Sequence, residues 1–397
     1  MAAANSVFLN ALGIVCALGT GRRAVAEAVF AEDRPHGVLL SDQFTPGRRL
    51  ALGAVTDVLA SVSDLPDTLR GRNNALLRTC LAQIRPLIDA AIDQHGAHRV
   101  AIIVGTSTSG LAASEHAHRH LQQHGQWPPG YHYAQQEMGA PAQFLAHELG
   151  TCGPAHVIST ACSSSAKALA AGARLLRAGL ADVVLAGGAD SLCAVTIAGF
   201  SALESVSATR CEPFSANRCG INLGEGAALF LMSREAGPVR LAGCGESSDA
   251  YHMSAPDPSG HGARSAILQA LARAQVAAKA IDYINLHGTA TQHNDAMEAQ
   301  VVADLFGLQT ASSSTKPLTG HTLGAAGAIE AAICWMTLVD NPRWRLPPHW
   351  WDGAVDPALP TLRLARPGEA FAKLPGLLLS QSFAFGGSNA VLIVGPG

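Results

Sequence analysis

Residues 156–190 carry the pattern that most constrains the fold: the apolar run HVISTAC, the Ala- and Leu-rich SSSAKALAAGARLLRAGL, and the apolar ADVVLAGGAD. These read as strand, helix and strand joined by tight turns, the unit of an α/β protein. The arrangement recurs along the chain. RVAIIVG at 99–105 is a branched apolar run ending in the polar loop GTSTSG, and IDYINL at 281–286 opens into HGTATQHND after an Ala-rich helix predicted over 264–280. In each case a buried strand ends on a polar loop, which is where chemistry can be presented. Residues 118–151 read as an excursion with a Pro-Pro-Gly break, then a helix over 141–149. STKPLTGHTLGAAGAIEAAICWMTL supplies another Gly-rich helix start, and GLLLSQSFAFGGSNAVLIVG a final strand pair. A boundary at SREAGPV divides the chain into halves of 1–238 and 239–397, without a strict sequence repeat between them.

Composition excludes several classes of function. The chain has 397 residues, far more than one core requires, and 27 Lys plus Arg against 30 Asp plus Glu with no long basic run, so a nucleic-acid partner is not expected. Its apolar runs are interrupted before reaching a membrane-spanning length of about 18 residues. The N-terminal MAAANSVFLNALGIVCALGTGRR lacks a basic region ahead of its apolar stretch and reads as a first strand entering a turn rather than an export signal. Nine cysteines without a CxxC pair point away from zinc and from a disulfide framework, toward thiols in the cytoplasm. No Gly-rich segment has the spacing of a nucleotide-binding loop, so a nucleotide cofactor is unsupported; no cofactor is expected to be bound permanently.

Among the cysteines, Cys162 has a distinctive setting, between a strand and the start of a helix. Backbone N–H groups and the helix dipole there are expected to lower the thiol pKa and to receive a carbonyl oxyanion, which points to acyl transfer. An inert packed thiol is the alternative, and it is the reading given to Cys16, Cys80, Cys152, Cys193, Cys211, Cys219, Cys244 and Cys334. His287 opens HGTAT at a strand end, and His321 sits in TGHTLGAAG at a helix entrance. A cysteine with two imidazoles suits covalent acyl chemistry; a Cys-His protease needs one imidazole and an orienting amide or carboxylate, leaving the second unexplained. Lys316, one of only four lysines, lies five residues before His321 and supplies an ammonium to that pair, with Asp295, Glu298 and Glu330 placed to compensate it. Thr289 and Thr291 are candidates for binding an amide-containing arm, and Phe383 and Phe385 for walling an apolar chain. Gly386 and Gly387 allow close backbone approach, so that a nearby N–H can complete an oxyanion hole.

These motifs together resemble the β-ketoacyl-acyl-carrier-protein synthases, the condensing enzymes of fatty-acid and polyketide synthesis. The resemblance runs in order through GIVCALGTG, VGTSTSG, STACSSSAKAL, VLAGGADSL, EPFSANRCGINLGEGAA, SSDAYHMSAPDP, INLHGTATQHNDAMEAQ, STKPLTGHTLGAAGAIEA and SFAFGGSN, nearly the whole chain. It implies a thiolase-like fold of two similar α/β halves in a five-layered α-β-α-β-α core. It implies Cys162 as the acyl-accepting nucleophile, His287 and His321 as the catalytic histidines, Lys316 as their supporting cation, and the Phe385 N–H as partner of the Cys162 N–H in the oxyanion hole. Thr289 and Thr291 then contact the pantetheine arm, and Thr108 and Phe200 shape the acyl pocket.

The implied reaction is a decarboxylative Claisen condensation of a Cys162-bound acyl chain with malonyl-acyl-carrier protein, the phosphopantetheine being supplied by the carrier. The implied partners are an acidic acyl-carrier protein, with Arg22, Arg23, Arg48, Arg49, Arg70, Arg72 and Arg78 as docking candidates, and a second ketosynthase-like subunit, in a homodimer or as a chain-length partner in a heterodimer. CSSSA in place of a CATGA-like turn, GTATQHND in place of a GTSTPxGD-like loop, and Gln381 and Ala384 where Asn and Gly are more usual leave room for a specialised polyketide or aryl-polyene chain. Thiolase-type transfer from coenzyme A thioesters is the competing activity on the same fold.

Overall fold

The computed structural model describes residues 6–33 and 37–397. The first half runs β1 (Phe8–Cys16), β2 (Gly19–Thr20), α1 (Arg22–Val29), β3 (Leu39–Ser41), β4 (Leu50–Leu52), α2 (Arg72–His95), β5 (Val100–Gly105), α3 (Leu111–His124), α4 (Ala140–Leu149), β6 (Ala155–Ile158), α5 (Ser164–Arg177), β7 (Val183–Asp190), α6 (Ala194–Ala202) and β8 (Gly226–Ser233). The second runs β9 (Val239–Ser248), α7 (His261–Ala274), β10 (Tyr283–Asn285), α8 (Gln292–Phe306), β11 (Ala311–Ser313), α9 (Lys316–Thr319), α10 (Ala326–Val339), β12 (Leu378–Ala384) and β13 (Ser388–Pro396).

The two halves repeat one topology. From the seam outward the strands are β1-β8-β7-β5-β6 in the first half and β9-β13-β12-β10-β11 in the second. In both, the first two pairings are antiparallel and the last two parallel. β1 and β9 meet in two registered pairs, Phe8 with Arg240 and Leu9 with Val239, so the halves share one sheet edge to edge. Alternation along the strands builds the layers. In β5, Val100, Ile102 and Val104 pack outward with α2 and α4, whereas Ala101 and Ile103 face inward with α5. Inner faces of both halves close on α5 and α10, which pack against each other, while α7 and α8 cover the outer face of the second half. The result is the thiolase-like α-β-α-β-α stack. Strands covered on both faces account for the near-continuous apolar runs of the sequence.

Gly105 is required at the end of β5, because a Cβ there would lie 2.3 Å from the backbone N of Ser165 at the start of α5. The helix predicted over 264–280 is shorter than expected: Gln275 takes a left-handed conformation (φ 57°) that ends α7 at Ala274, and Ala278–Ala280 form a separate turn. Among the described residues no helix is long and apolar enough to cross a membrane.

Candidate active site

The topology brings the C-terminal ends of the parallel strands of both halves to one place. Cys162 follows β6 on a tight turn in which Ala161 has φ 50°, a conformation that a Cβ-bearing residue adopts only when its surroundings hold it. Ser164 does so: its Oγ accepts from Thr160 N at 2.8 Å and donates to Ala161 O at 2.6 Å. His321 enters from the second half between Gly320 (φ 71°) and a short bridge to Leu223, with its N–H donated to Asn222 O at 2.6 Å. His321 Nε2 lies 3.0 Å from Cys162 Sγ. His287, just past β10, places its ring 5.4 Å from that of His321 at 85°. Cys162, His287 and His321 are each at most 4% exposed.

Two buried carboxylates pin the loop after His287. Glu298 accepts the backbone N–H groups of His287 (2.6 Å) and Gly288 (2.7 Å), and Asp295 those of Thr289 (3.1 Å) and Phe214 (2.7 Å). Asn294 Nδ2 bridges them at 3.2 Å to each. Of the three acids expected to compensate Lys316, only Glu330 contacts it; Asp295 and Glu298 spend their oxygens on backbone amides instead. Lys316 Nζ bonds Glu330 Oε1 and the His287 carbonyl, and stands 3.4 Å from His287 Nδ1.

Burial dominates the electrostatics. The Cys162 thiol is pushed up to about 12 by desolvation, against the opposing pull of the Lys316 charge and the Phe385 N–H. The backbone N–H groups of Phe385 and Cys162 act in the expected lowering direction, but loss of water outweighs them and the net shift is upward. Burial holds His287 and His321 well below the ordinary histidine range, and the Lys316 charge acts in the same direction on both. Both imidazoles are neutral at physiological pH, able to donate one N–H or accept one proton. The thiol and imidazoles present three ligand atoms within 4.8 Å of one another, a soft donor set of the kind that binds zinc. A buried ammonium 3.4 Å from one of those imidazoles opposes a cation and favours a developing anion.

A cavity of about 80 Å³ adjoins the thiol, and its lining includes Phe200, Thr289, Thr291, Phe383 and Phe385 as well as Cys162 and the two histidines. Phe200 and Phe385 pack ring against ring at 5.4 Å. Thr108 is absent from that lining. It is fully buried, with its N–H and hydroxyl both donated to Asp190 Oδ1 at 2.8 Å. A larger cleft of about 660 Å³, running from Phe214 to Glu369, contains none of the candidate residues.

Sequence reasoning missed Asp190, whose carboxylate also takes the N–H of Ser107 and of Gly324 and so joins the loop after β5 to the segment after His321. It also missed Asn294, and Asp249, Ser254 and Pro256 at the cavity wall. Asp190 does end the VLAGGAD strand, the one available signal. Most of the arginine candidates are engaged elsewhere. Arg72 is paired with buried Glu225, Arg78 with Asp64 and Glu148, Arg70 with Asp67 and Arg23 with Glu27, while Arg22 stacks on Trp335. Arg48 and Arg49 remain exposed, with no ion pair among the described residues.

Comparison with known proteins bears on this geometry directly. The Beta-ketoacyl synthase N-terminal domain matches residues 75–236 and the Beta-ketoacyl synthase C-terminal domain residues 239–343. Nodulation protein E of Rhizobium meliloti (strain 1021) is 31% identical over 406 residues, covering 97% of this chain and 98% of its own. The chain belongs to the β-ketoacyl synthase family. It is thus a condensing enzyme of the transferase class. The 3-oxoacyl-[acyl-carrier-protein] synthase 2 of Staphylococcus aureus is 31% identical over 320 residues, covering 76% of this chain and 78% of its own. Among solved structures, the ketosynthase ApeO of Xenorhabdus doucetiae, in complex with its chain length factor ApeC, is 45% identical with a TM-score of 0.94, covering 99% of this chain and 98% of that one. The ishigamide ketosynthase/chain length factor matches at 26% identity and a TM-score of 0.85, covering 99% of each chain.

Proposed function

We propose that this β-ketoacyl synthase carries its acyl chain on Cys162 and uses His287 and His321 to decarboxylate malonyl-acyl-carrier protein. The observation that carries this reading is the buried trio itself, a thiol within 3.0 Å of one neutral imidazole and beside a second, with an ammonium behind them. In the first step Sγ attacks the thioester carbonyl of an acyl group on carrier-borne phosphopantetheine. His321 Nε2 takes the thiol proton, the N–H groups of Cys162 and Phe385 face the oxyanion, and the pantetheine thiol leaves with that proton. Malonyl-carrier then binds with its amide arm along Thr289 and Thr291. Cleavage of the carboxylate C–C bond releases carbon dioxide and leaves the electron pair as a thioester enolate, whose oxygen accepts N–H bonds from His287 and from His321 in its Nε2–H tautomer. The enolate carbon attacks the Cys162 thioester, the second oxyanion occupies the same hole, and the Cys162 thiolate departs and takes a proton from solvent by way of His321, giving a β-ketoacyl-carrier two carbons longer. Neutral imidazoles serve this better than charged ones, because an imidazolium has no lone pair with which to accept the thiol proton.

The finer assignment is the catalytic subunit of a heterodimer with a chain-length partner, extending a specialised polyketide or aryl-polyene chain in the cytoplasm. One observation supports it: the 45% identity to a ketosynthase solved with its chain length factor. Exposed Arg48 and Arg49, with no ion pair among the described residues, are the foremost of the docking candidates for an acidic carrier. The test is incubation with malonyl-carrier and a panel of acyl-carriers, with and without a co-expressed chain-length subunit, followed by intact-mass measurement. Expected are an acyl adduct mapping to Cys162 and a two-carbon extension of the carrier product. Extension from acyl-coenzyme A pairs without carrier would instead favour thiolase-type transfer.

A further inference from the structure

Three polar side chains fasten the turn that bears Cys162 to the loop that bears the Phe385 N–H. Lys167, in the first turns of α5, donates from Nζ to Ser388 Oγ at 2.6 Å. Ser163, next to the nucleophile and fully buried, donates from Oγ to the same Ser388 Oγ at 3.1 Å and lies 2.9 Å from Thr160 O. Ser388 begins β13 directly after Phe385-Gly386-Gly387, whose glycines have φ 78° and 73°. Two adjacent glycines with positive φ have no side chains to wedge that loop in place. Its backbone bonds, Gly386 N to Met253 O and Asp249 N to Gly387 O, both 2.8 Å, stay within the second half. The contacts of Ser388 with Ser163 and Lys167 cross to the first half, where Cys162 is.

We propose that Lys167 is a positioning residue for acyl transfer, which through Ser388 and Ser163 fixes the Phe385 N–H at its working distance from the Cys162 sulfur. The proposal rests on the acyl-transfer reading above. It accounts for one departure met in the sequence, the CSSSA turn, and for one of the chain's four lysines lying on α5. Charge is not its means of action, since the ammonium that acts on the thiol is that of Lys316. Geometry is: an oxyanion donor works only when held to a fraction of an ångström, and displacement by about 1 Å costs on the order of a hundredfold in rate.

The test compares Lys167→Met, Lys167→Arg, Ser388→Ala and the Lys167→Met/Ser388→Ala pair with the unaltered enzyme, with thermal stability recorded for each. Single-turnover acylation of Cys162 by acyl-carrier is followed by intact mass, and carbon dioxide release from malonyl-carrier is measured separately. Lys167→Met is expected to slow saturated acylation by about ten- to a hundredfold with KM and decarboxylation little changed. Ser388→Ala should lose a similar factor, the pair no more than either alone, and Lys167→Arg should recover most of the rate. Unchanged acylation in Lys167→Met overturns the proposal, as does a loss shared equally by acylation, decarboxylation and melting temperature, or a pair whose loss is the product of the two singles. Absence of any adduct on the unaltered enzyme with competent carriers overturns instead the acyl-transfer reading beneath it.

Discussion

Replacing Lys316 with methionine isolates the role of the buried cation. The Lys316 and Glu330 side chains are 2% and 4% exposed, and Glu330 Oε1 takes its hydrogen bond from Nζ while Oε2 is buried without a partner. Without the ammonium the carboxylate has no donor, and its escape is to take a proton. From an ordinary pKa of 4.5, protonation at pH 7 costs about 3.4 kcal/mol, at about 1.36 kcal/mol per unit, within the range of about 3–5 kcal/mol for breaking a buried pair. The sign follows from linkage. In the variant Glu330 has a folded pKa raised above its unfolded value, so its penalty is absent below about 4.5 and grows as pH rises. Burial already raises Glu330 somewhat in the parent, so Lys316→Met should lose at most about 3.4 kcal/mol through this group at pH 7 and at most about 1.4 kcal/mol at pH 5.5. Urea denaturation at both pH values reads this difference directly. Lys316→Met/Glu330→Leu should return to within about 1.5 kcal/mol of the parent and lose the added pH dependence, yet remain deficient in condensation. A single variant equally unstable at both pH values, or a double variant as unstable as the single, would refute the reasoning.

Three further outcomes follow from the same structure. With its thiol held near 12, Cys162 should alkylate with iodoacetamide at a rate rising about tenfold per pH unit from 7 to 10; a plateau below pH 8 contradicts the burial argument. Gly105→Ala should destabilise by about 1–3 kcal/mol, because its Cβ falls 2.3 Å from Ser165 N at the root of the nucleophile turn, and an unchanged melting temperature counts against that packing. Burial raises Glu298 from 4.5 to about 8 against the backbone N–H of Gly288, so its ionisation costs folding energy progressively between those values. Relative to the parent, Glu298→Gln should gain stability as pH rises from 5 to 8, by up to about 5 kcal/mol over the whole shift; a difference constant with pH disproves it.

Local pattern carried much of this architecture and of the trio. The strand runs near 100, 156, 183 and 281 and the helix over 141–149 could be read because buried strands and Ala-rich helices impose their periods on neighbouring residues. The duplication came only through the family resemblance, since it resides in strand order and direction: β1-β8-β7-β5-β6 and β9-β13-β12-β10-β11 repeat with no matching sequence period. Contacts made across long separations were equally hidden. Asp190 meets Gly324 across 134 positions and Lys167 meets Ser388 across 221, and no local spacing announces either. The thiol's pKa was misjudged for a related reason. The helix start is local and legible, whereas the burial that outweighs it comes from loops contributed by both halves. The acids beside His287 show the same limit: proximity in sequence suggested partners for Lys316, but the backbone amides of 287–289 and 214 claimed Asp295 and Glu298 first.

The division of labour in the trio is tested most directly by carbon dioxide release from labelled malonyl-carrier in a Cys162→Ala enzyme. Sulfur is needed to hold the acyl chain but not to stabilise the enolate. The account therefore predicts continued decarboxylation to acetyl-carrier with no condensation product, and loss of that release when His287 and His321 are also replaced. A folded Cys162→Ala enzyme that releases no carbon dioxide, or release that survives removal of both histidines, would contradict it.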